Sequence, residues 1–232
     1  MPMTHLYQIC NLSFSYQDSN ALELDELLIE QNRVTAVVGP NGSGKSTLFD
    51  LLAFLRQPQA GTILFRGTPV AGSGRAQLRR QVGYVQQKPY LMKMSVRDNI
   101  GLGLKFRGEP RRVIDATVNA VAGELGLTAL LDRDANKLSG GEIQKVALAR
   151  ALALQPEVVI MDEPFTYLDE ATVHEIEQWL HGQRQARTKT VIFSTHDRPR
   201  AQSLSDNIVN LSNGRAYPFS SGNAQSNVSQ SG

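Results

Sequence analysis

Residues 34–47 read VTAVVGPNGSGKST, and this stretch limits the possible folds more tightly than any other. VTAVV is β-branched and lacks polar alternation, as a strand buried on both faces requires. The segment after it fits G-x-x-x-x-G-K-[ST], and KSTLFDLLAFL then continues as helix. Strand, glycine-rich turn and helix in that order make a phosphate cradle. Gly39, Gly42 and Gly44 let the backbone curl so that successive N–H groups converge on anionic oxygens. Lys45 brings a mobile positive charge to the β- and γ-phosphates of a nucleotide, and Ser46 a hydroxyl for Mg2+. Pro40, Asn41, Ser43 and Thr47 complete the loop and are assigned to the nucleotide with it. A glycine-rich turn that happens to hold a lysine is the competing reading, and the flanking strand and helix weigh against it.

Two further apolar runs end in chemically loaded residues: VVIM (158–161) runs into DEP, and TVIFSTH (190–196) ends on His196. The helical stretches EIQKVALARALAL and TVHEIEQWLHGQRQ lie before and between them, so the pattern predicts an α/β core with a parallel sheet. Ligands of such sheets gather at the carboxyl ends of the strands, where all three loaded segments fall. Asp162 can hold Mg2+ through its water shell, and Glu163 is placed to orient and deprotonate an attacking water. An Asp-Glu pair at a strand end is by itself usually a capped edge; beside the phosphate cradle, catalysis is the better reading. LSGGE (138–142) opens another helix with Ser139, Gly140, Gly141 and Glu142, a place suited either to an anion or to a simple serine cap.

The N-terminal segments LYQICNLSFSYQ and ALELDELLIE alternate, as antiparallel strands with one wet face do. Residues 88–137 are predicted to be a helical subdomain, with Ser95 and Asp98 spaced as a capping box and VIDATVNAVAGEL amphipathic. A hairpin turning at Asn213-Gly214 is expected near the end, and 218–232 are read as a disordered tail following a domain of residues 1–217. Cys10, the lone cysteine, excludes an internal disulfide and is expected to be a buried small hydrophobe. A net charge of +2 is too small for nucleic-acid binding by bulk electrostatics. No run approaches ~18 consecutive apolar residues and no signal peptide is recognisable, so a soluble cytoplasmic protein that meets a membrane only through a partner is expected.

Taken together, these motifs resemble the ATP-binding subunit of ABC transporters over about residues 5 to 215. LSGGE is similar to the family signature. Tyr16 in SFSYQ falls on the aromatic that stacks on adenine, and Gln87 rather than Gln86 on the Q-loop glutamine that senses Mg2+ and faces the membrane partner. Pro164 through Asp169 fall on the D-loop, which assigns Asp169 to the nucleotide interface, and His196 on the switch histidine that contacts γ-phosphate. The resemblance implies a P-loop NTPase core that uses ATP and Mg2+. It implies two chains packed head to tail, each LSGGE closing over ATP held by the other. It also implies transmembrane permease subunits, a soluble substrate-binding protein and a place on the cytoplasmic side of the membrane. Weaker likeness in LLAFLRQPQAG and PYLM points to tungstate or molybdate importers. The alternatives are a cell-division type membrane complex and a ribosome- or DNA-associated ATPase. Glu142 and Tyr167 depart from the usual pattern, which has glutamine and a small residue there.

Overall fold

The computed structural model describes residues 5–16 and 19–218. In chain order the elements are β1 (His5–Tyr16), β2 (Ser19–Glu30), β3 (Val34–Val38), α1 (Lys45–Leu52), β4 (Ala60–Phe65), β5 (Thr68–Pro69), α2 (Arg75–Leu78) and β6 (Val82–Val85). They continue as α3 (Val96–Phe106), α4 (Arg111–Glu124), α5 (Gly140–Leu152), β7 (Val158–Met161), α6 (Glu170–Ala186), β8 (Thr190–Thr195), α7 (Arg198–Leu204), β9 (Asn207–Ser212) and β10 (Arg215–Pro218).

Two sheets form. The first is antiparallel, in the order β2-β1-β4-β5; the second runs β10-β9-β3-β8-β7-β6. Strands β9, β3, β8, β7 and β6 are parallel, and β10 closes the edge as an antiparallel hairpin partner of β9. The central parallel strands β3, β8 and β7 are buried on both faces because successive residues serve opposite layers. Val158 and Ile160 join one core with α1 and the antiparallel sheet, while Val159 and Met161 join another with α3 to α7. That arrangement is why these strands show no polar alternation.

Helix α1 lies in the first core with Leu48, Phe49, Leu51 and Leu52 fully buried. Each such side chain contributes roughly 1.5–3 kcal/mol by burial, so the helix that begins in the glycine-rich loop is fixed along its length. The hairpin turn has positive φ at both Asn213 (47°) and Gly214 (75°), as a two-residue turn joining twisted strands prefers. Gly214 also donates its N–H to the Ser43 carbonyl (3.0 Å), so this turn props the glycine-rich loop from below.

The expected helical region is present as α3 and α4. Ser95 caps α3 by accepting from the Asp98 N–H, and α4 buries Ile114, Val118, Val121 and Ala122. Two expectations need correction. Cys10 is exposed, because Ile9 and Leu12 take the buried positions and Asn11, at φ 48°, offsets the strand between them. Pro218 belongs to the last strand rather than to the tail, and the remainder of that tail lies outside the described residues. Among the described residues, no helix is long and apolar enough to cross a membrane.

Candidate functional site

Gly44 stands immediately before α1 with φ 103°, and a Cβ there would sit 2.8 Å from the Ala21 carbonyl and from Leu22 Cδ2. Only glycine satisfies both demands. The next residue, Lys45, is 6% exposed. Its Nζ donates to the Gly39 (2.9 Å) and Pro40 (3.1 Å) carbonyls and faces Glu163 Oε1 at 3.3 Å. That last contact is ionic, since Glu163 Oε1 has no hydrogen-bond partner.

The acidic wall is held as firmly. Ser46 Oγ donates to Asp162 Oδ2 (2.5 Å), and Ser194 Oγ donates to Asp162 Oδ1 (2.7 Å) while accepting the Glu163 N–H (2.7 Å). Glu163 sits in the left-handed region at φ 45°, a conformation that costs a non-glycine residue about 1 kcal/mol and persists only where neighbours impose it. Ser194 supplies that constraint. His196 Nδ1 lies 3.3 Å from Glu163 Oε2, and Thr166 Oγ1 donates to the same oxygen at 3.4 Å. The carboxylate thus stands between an ammonium group and an imidazole. Ser194 and Thr166 escaped the sequence reading; only the position of Ser194 in STHD, beside His196, offered a signal.

Lys45, Ser46, Asp162 and Glu163 line a cleft of about 460 Å3 together with Tyr16, Ala21, Asn41, Gly42, Gly44, Thr47 and Gln87, whereas Gly39, Pro40, Ser43 and His196 are not among its lining residues. Gln87, not Gln86, is among the lining residues. The Tyr16 hydroxyl accepts a long hydrogen bond from Thr47 Oγ1 at 3.4 Å. The donor set fits Mg2+: a serine hydroxyl, one carboxylate and an amide leave room for water and phosphate oxygens, which this ion keeps in preference to an all-protein cage. Glu163 Oε1, which faces Lys45 but accepts no hydrogen bond, leaves this carboxylate a lone pair for a proton.

The LSGGE segment lies elsewhere. Ser139, Gly140, Gly141 and Glu142 do not line the cleft, and neither does Asp169. Asp169 instead caps α6, accepting from the Thr172 N–H and hydroxyl, both at 2.9 Å. Ser139 and Glu142 form a reciprocal capping box: Ser139 Oγ accepts the Glu142 N–H (3.3 Å), and Glu142 Oε2 accepts the Ser139 N–H (2.7 Å). Arg133 pairs with the same carboxylate at 3.2 Å, so the charge that glutamate adds to the signature is locally compensated. The two glycines differ. Gly140 is exposed, and a Cβ on it would meet only the Tyr167 carbonyl at 4.0 Å. Gly141 is buried, and a Cβ there would stand 2.4 Å from Thr172 Oγ1 and 3.0 Å from Thr172 Cβ. Tyr167, at φ 63°, is 85% exposed, and only its carbonyl comes near Gly140.

Gly141→Ala is therefore expected to destabilise the fold by about 1–3 kcal/mol through overpacking at the α5–α6 contact. Gly140→Ala should leave thermal unfolding unchanged or slightly raised; equal losses for the two variants would contradict the split.

Residues 22–166, more than half of the chain, match the protein family described as ABC transporter. The chain belongs to the ABC transporter family. This ABC ATPase is 36% identical over 207 residues to the tungstate uptake system ATP-binding protein of Peptoclostridium acidaminophilum, covering 89% of this chain and 94% of the relative. It is 40% identical over 206 residues to a sulfate/thiosulfate import ATP-binding protein of Thermosynechococcus vestitus, covering 88% of this chain and 61% of that longer one. Among solved structures, cbiO1 from Clostridium perfringens, part of the ABC transporter complex cbiONQ, superposes with a TM-score of 0.85 at 32% identity, covering 92% of this chain and 87% of the other. A dimeric ATP-binding cassette in a post-hydrolysis state, bound to ADP and Pi, superposes with a TM-score of 0.81 at 26% identity, covering 90% and 96%. The ABC ATPase subunit binds ATP and hydrolyses it to drive transport.

Three carboxylates at helix starts give this ABC ATPase an acid limit. Asp98 is held below its ordinary value of 3.8 chiefly by the Lys105 ammonium, Glu142 below 4.5 by the Ser139 N–H, and Asp169 below 3.8 by the Thr172 N–H. A folded-state value below the unfolded one stabilises the fold fully above about pH 4.5, and that stability disappears as pH falls through the folded values. Chemical denaturation from neutral pH to about pH 3 should show this acid loss, and Glu142→Gln should flatten part of it. A wild-type stability constant across that range would contradict the assignment.

Proposed function

We propose that the ATPase powers uptake of a small oxoanion, working as a head-to-tail pair beneath transmembrane permease subunits on the cytoplasmic side of the membrane. The observation that carries the paired arrangement is the separation within one chain. Loop and acids line one cleft and His196 reaches it only through Glu163, 3.3 Å away, while Ser139 and Gly140 present a helix start outside it. Such a start offers N–H donors and the positive end of the helix dipole to an anion. The γ-phosphate held by one chain is the anion that the partner's LSGGE takes.

Within the cleft, the loop N–H groups and Lys45 bind the triphosphate, Tyr16 stacks on the base, and Ser46, Gln87 and Asp162 would hold Mg2+. When bound, that ion would neutralise charge on the β- and γ-phosphates. Glu163 accepts the proton of the attacking water, and His196, at 3.3 Å from its carboxylate, steadies the γ-phosphate side. ATP then bridges two chains, and cleaving it removes the bridge. Asp169, at the start of α6 beside Gly141, joins that interface from the signature side.

Oxoanion cargo is supported by the tungstate and sulfate/thiosulfate relatives at 36% and 40% identity. The test is reconstitution with the permease and a soluble binding protein, measuring ATP turnover with tungstate, molybdate and sulfate in turn. Stimulation by one of the three is expected. Turnover indifferent to all three would overturn the cargo while leaving the ATPase intact.

A further inference from the structure

The ring of Tyr16 is held by a second layer of residues outside the cleft. Arg56 follows α1, and its guanidinium carbon lies 4.8 Å from the centroid of the Tyr16 ring and 5.8 Å from that of Phe14. Phe14 meets Tyr16 edge-on, with centroids 5.1 Å apart at 83°. Arg56 is not among the residues lining the cleft, whereas Tyr16 is. Its orientation is fixed by Asp50, whose Oδ2 accepts from Arg56 Nε at 2.8 Å. Asp50 belongs to α1, the helix that begins with Lys45, Ser46 and Thr47.

The same loop also grips the end of β1. Gln59 accepts the Ser15 N–H with Oε1 (2.9 Å) and donates Nε2 to the Ser15 carbonyl (3.1 Å), while its own N–H reaches the Ser13 carbonyl at 2.9 Å. The residue next to Tyr16 is therefore bound on both its backbone groups by a segment leaving the phosphate-binding helix.

We infer that Arg56 is a positioning residue for the nucleotide base: carried by α1 through Asp50, it locks the Tyr16 ring as a stacking platform at a set distance from the phosphate loop. This rests on the reading of Tyr16 as the base-stacking residue. A cation over one face of an aromatic ring is attracted by its quadrupole, and the planar guanidinium matches the ring better than an ammonium does. The arrangement governs affinity for a nucleoside triphosphate through its base and leaves the grip on the phosphates untouched.

The experiment measures binding of ATP and of inorganic triphosphate to the full chain, together with KM and kcat for ATP. Arg56→Ala is expected to weaken ATP about 3- to 5-fold, raise KM by the same factor and leave kcat and triphosphate binding unchanged. Arg56→Lys should recover part of the ATP affinity. In a Tyr16→Ala background, Arg56→Ala should add nothing. Equal weakening of ATP and triphosphate by Arg56→Ala would overturn the inference, because it would show a general effect on the loop. Full ATP affinity in Arg56→Ala, with affinity lost in Tyr16→Ala, would overturn it while sparing the base platform. Full ATP affinity in Tyr16→Ala would remove the platform itself.

Discussion

Glu163→Gln should lower steady-state ATP turnover about 100- to 1,000-fold while ATP binding persists, the size expected when a general base is lost. The amide keeps the shape of the carboxylate but cannot take a proton from water. The chain path there should hold, because the backbone at Glu163 is fixed by the Ser194 hydroxyl rather than by its own side chain. Lys45 loses its ionic contact but keeps the Gly39 and Pro40 carbonyls, so the loop retains its form. With ATP bound and not cleaved, the two chains should stay closed, visible as an ATP-dependent dimer by size-exclusion chromatography with light scattering. Turnover equal to the unaltered chain would take Glu163 out of the role of base.

Ser139→Arg is expected to abolish turnover with nucleotide binding to the single chain preserved. Ser139 is exposed and lies outside the lining of its own cleft, so substituting it cannot disturb the residues that hold ATP there. Losing the cap of α5 costs about 1 kcal/mol, too little to unfold a domain with two extensive cores. The effect must come instead from the other chain's phosphate, which meets a long side chain where a small hydroxyl and bare backbone were. Isothermal titration with ATP separates the cases: retained affinity with no turnover is expected. Affinity lost along with turnover would mean that the signature belongs to its own chain's site.

Much of this site could be read in the residues themselves. Loops at strand ends carry their own signatures, so Lys45, Ser46, Asp162 and Glu163 stand out by motif and spacing and Gln87 through the family resemblance, and the cleft gathers all five. Contacts that depend on phase or on distant packing left no such trace. Cys10 faces solvent because Asn11 offsets a strand whose alternation looked regular around it. Gly141 reads like its neighbour Gly140, yet its need for a missing Cβ comes from Thr172, a contact between two helix starts that no local pattern encodes. Ser194 lies 31 residues from the glutamate it positions. Arg56 reads as an ordinary surface cation until the fold places it over Tyr16. Local propensity finds the elements; which side chains meet is decided by tertiary packing.

Mixing two inactive variants tests the shared site most directly. Lys45→Ala removes the phosphate lysine but keeps LSGGE, and Ser139→Arg does the reverse. In a mixed pair, one interface then carries an intact loop from one chain and an intact signature from the other. Each variant alone should be silent, and ATP turnover should return when the two are combined. Continued silence in a mixture shown by mass spectrometry to contain mixed pairs would contradict a site built from both chains.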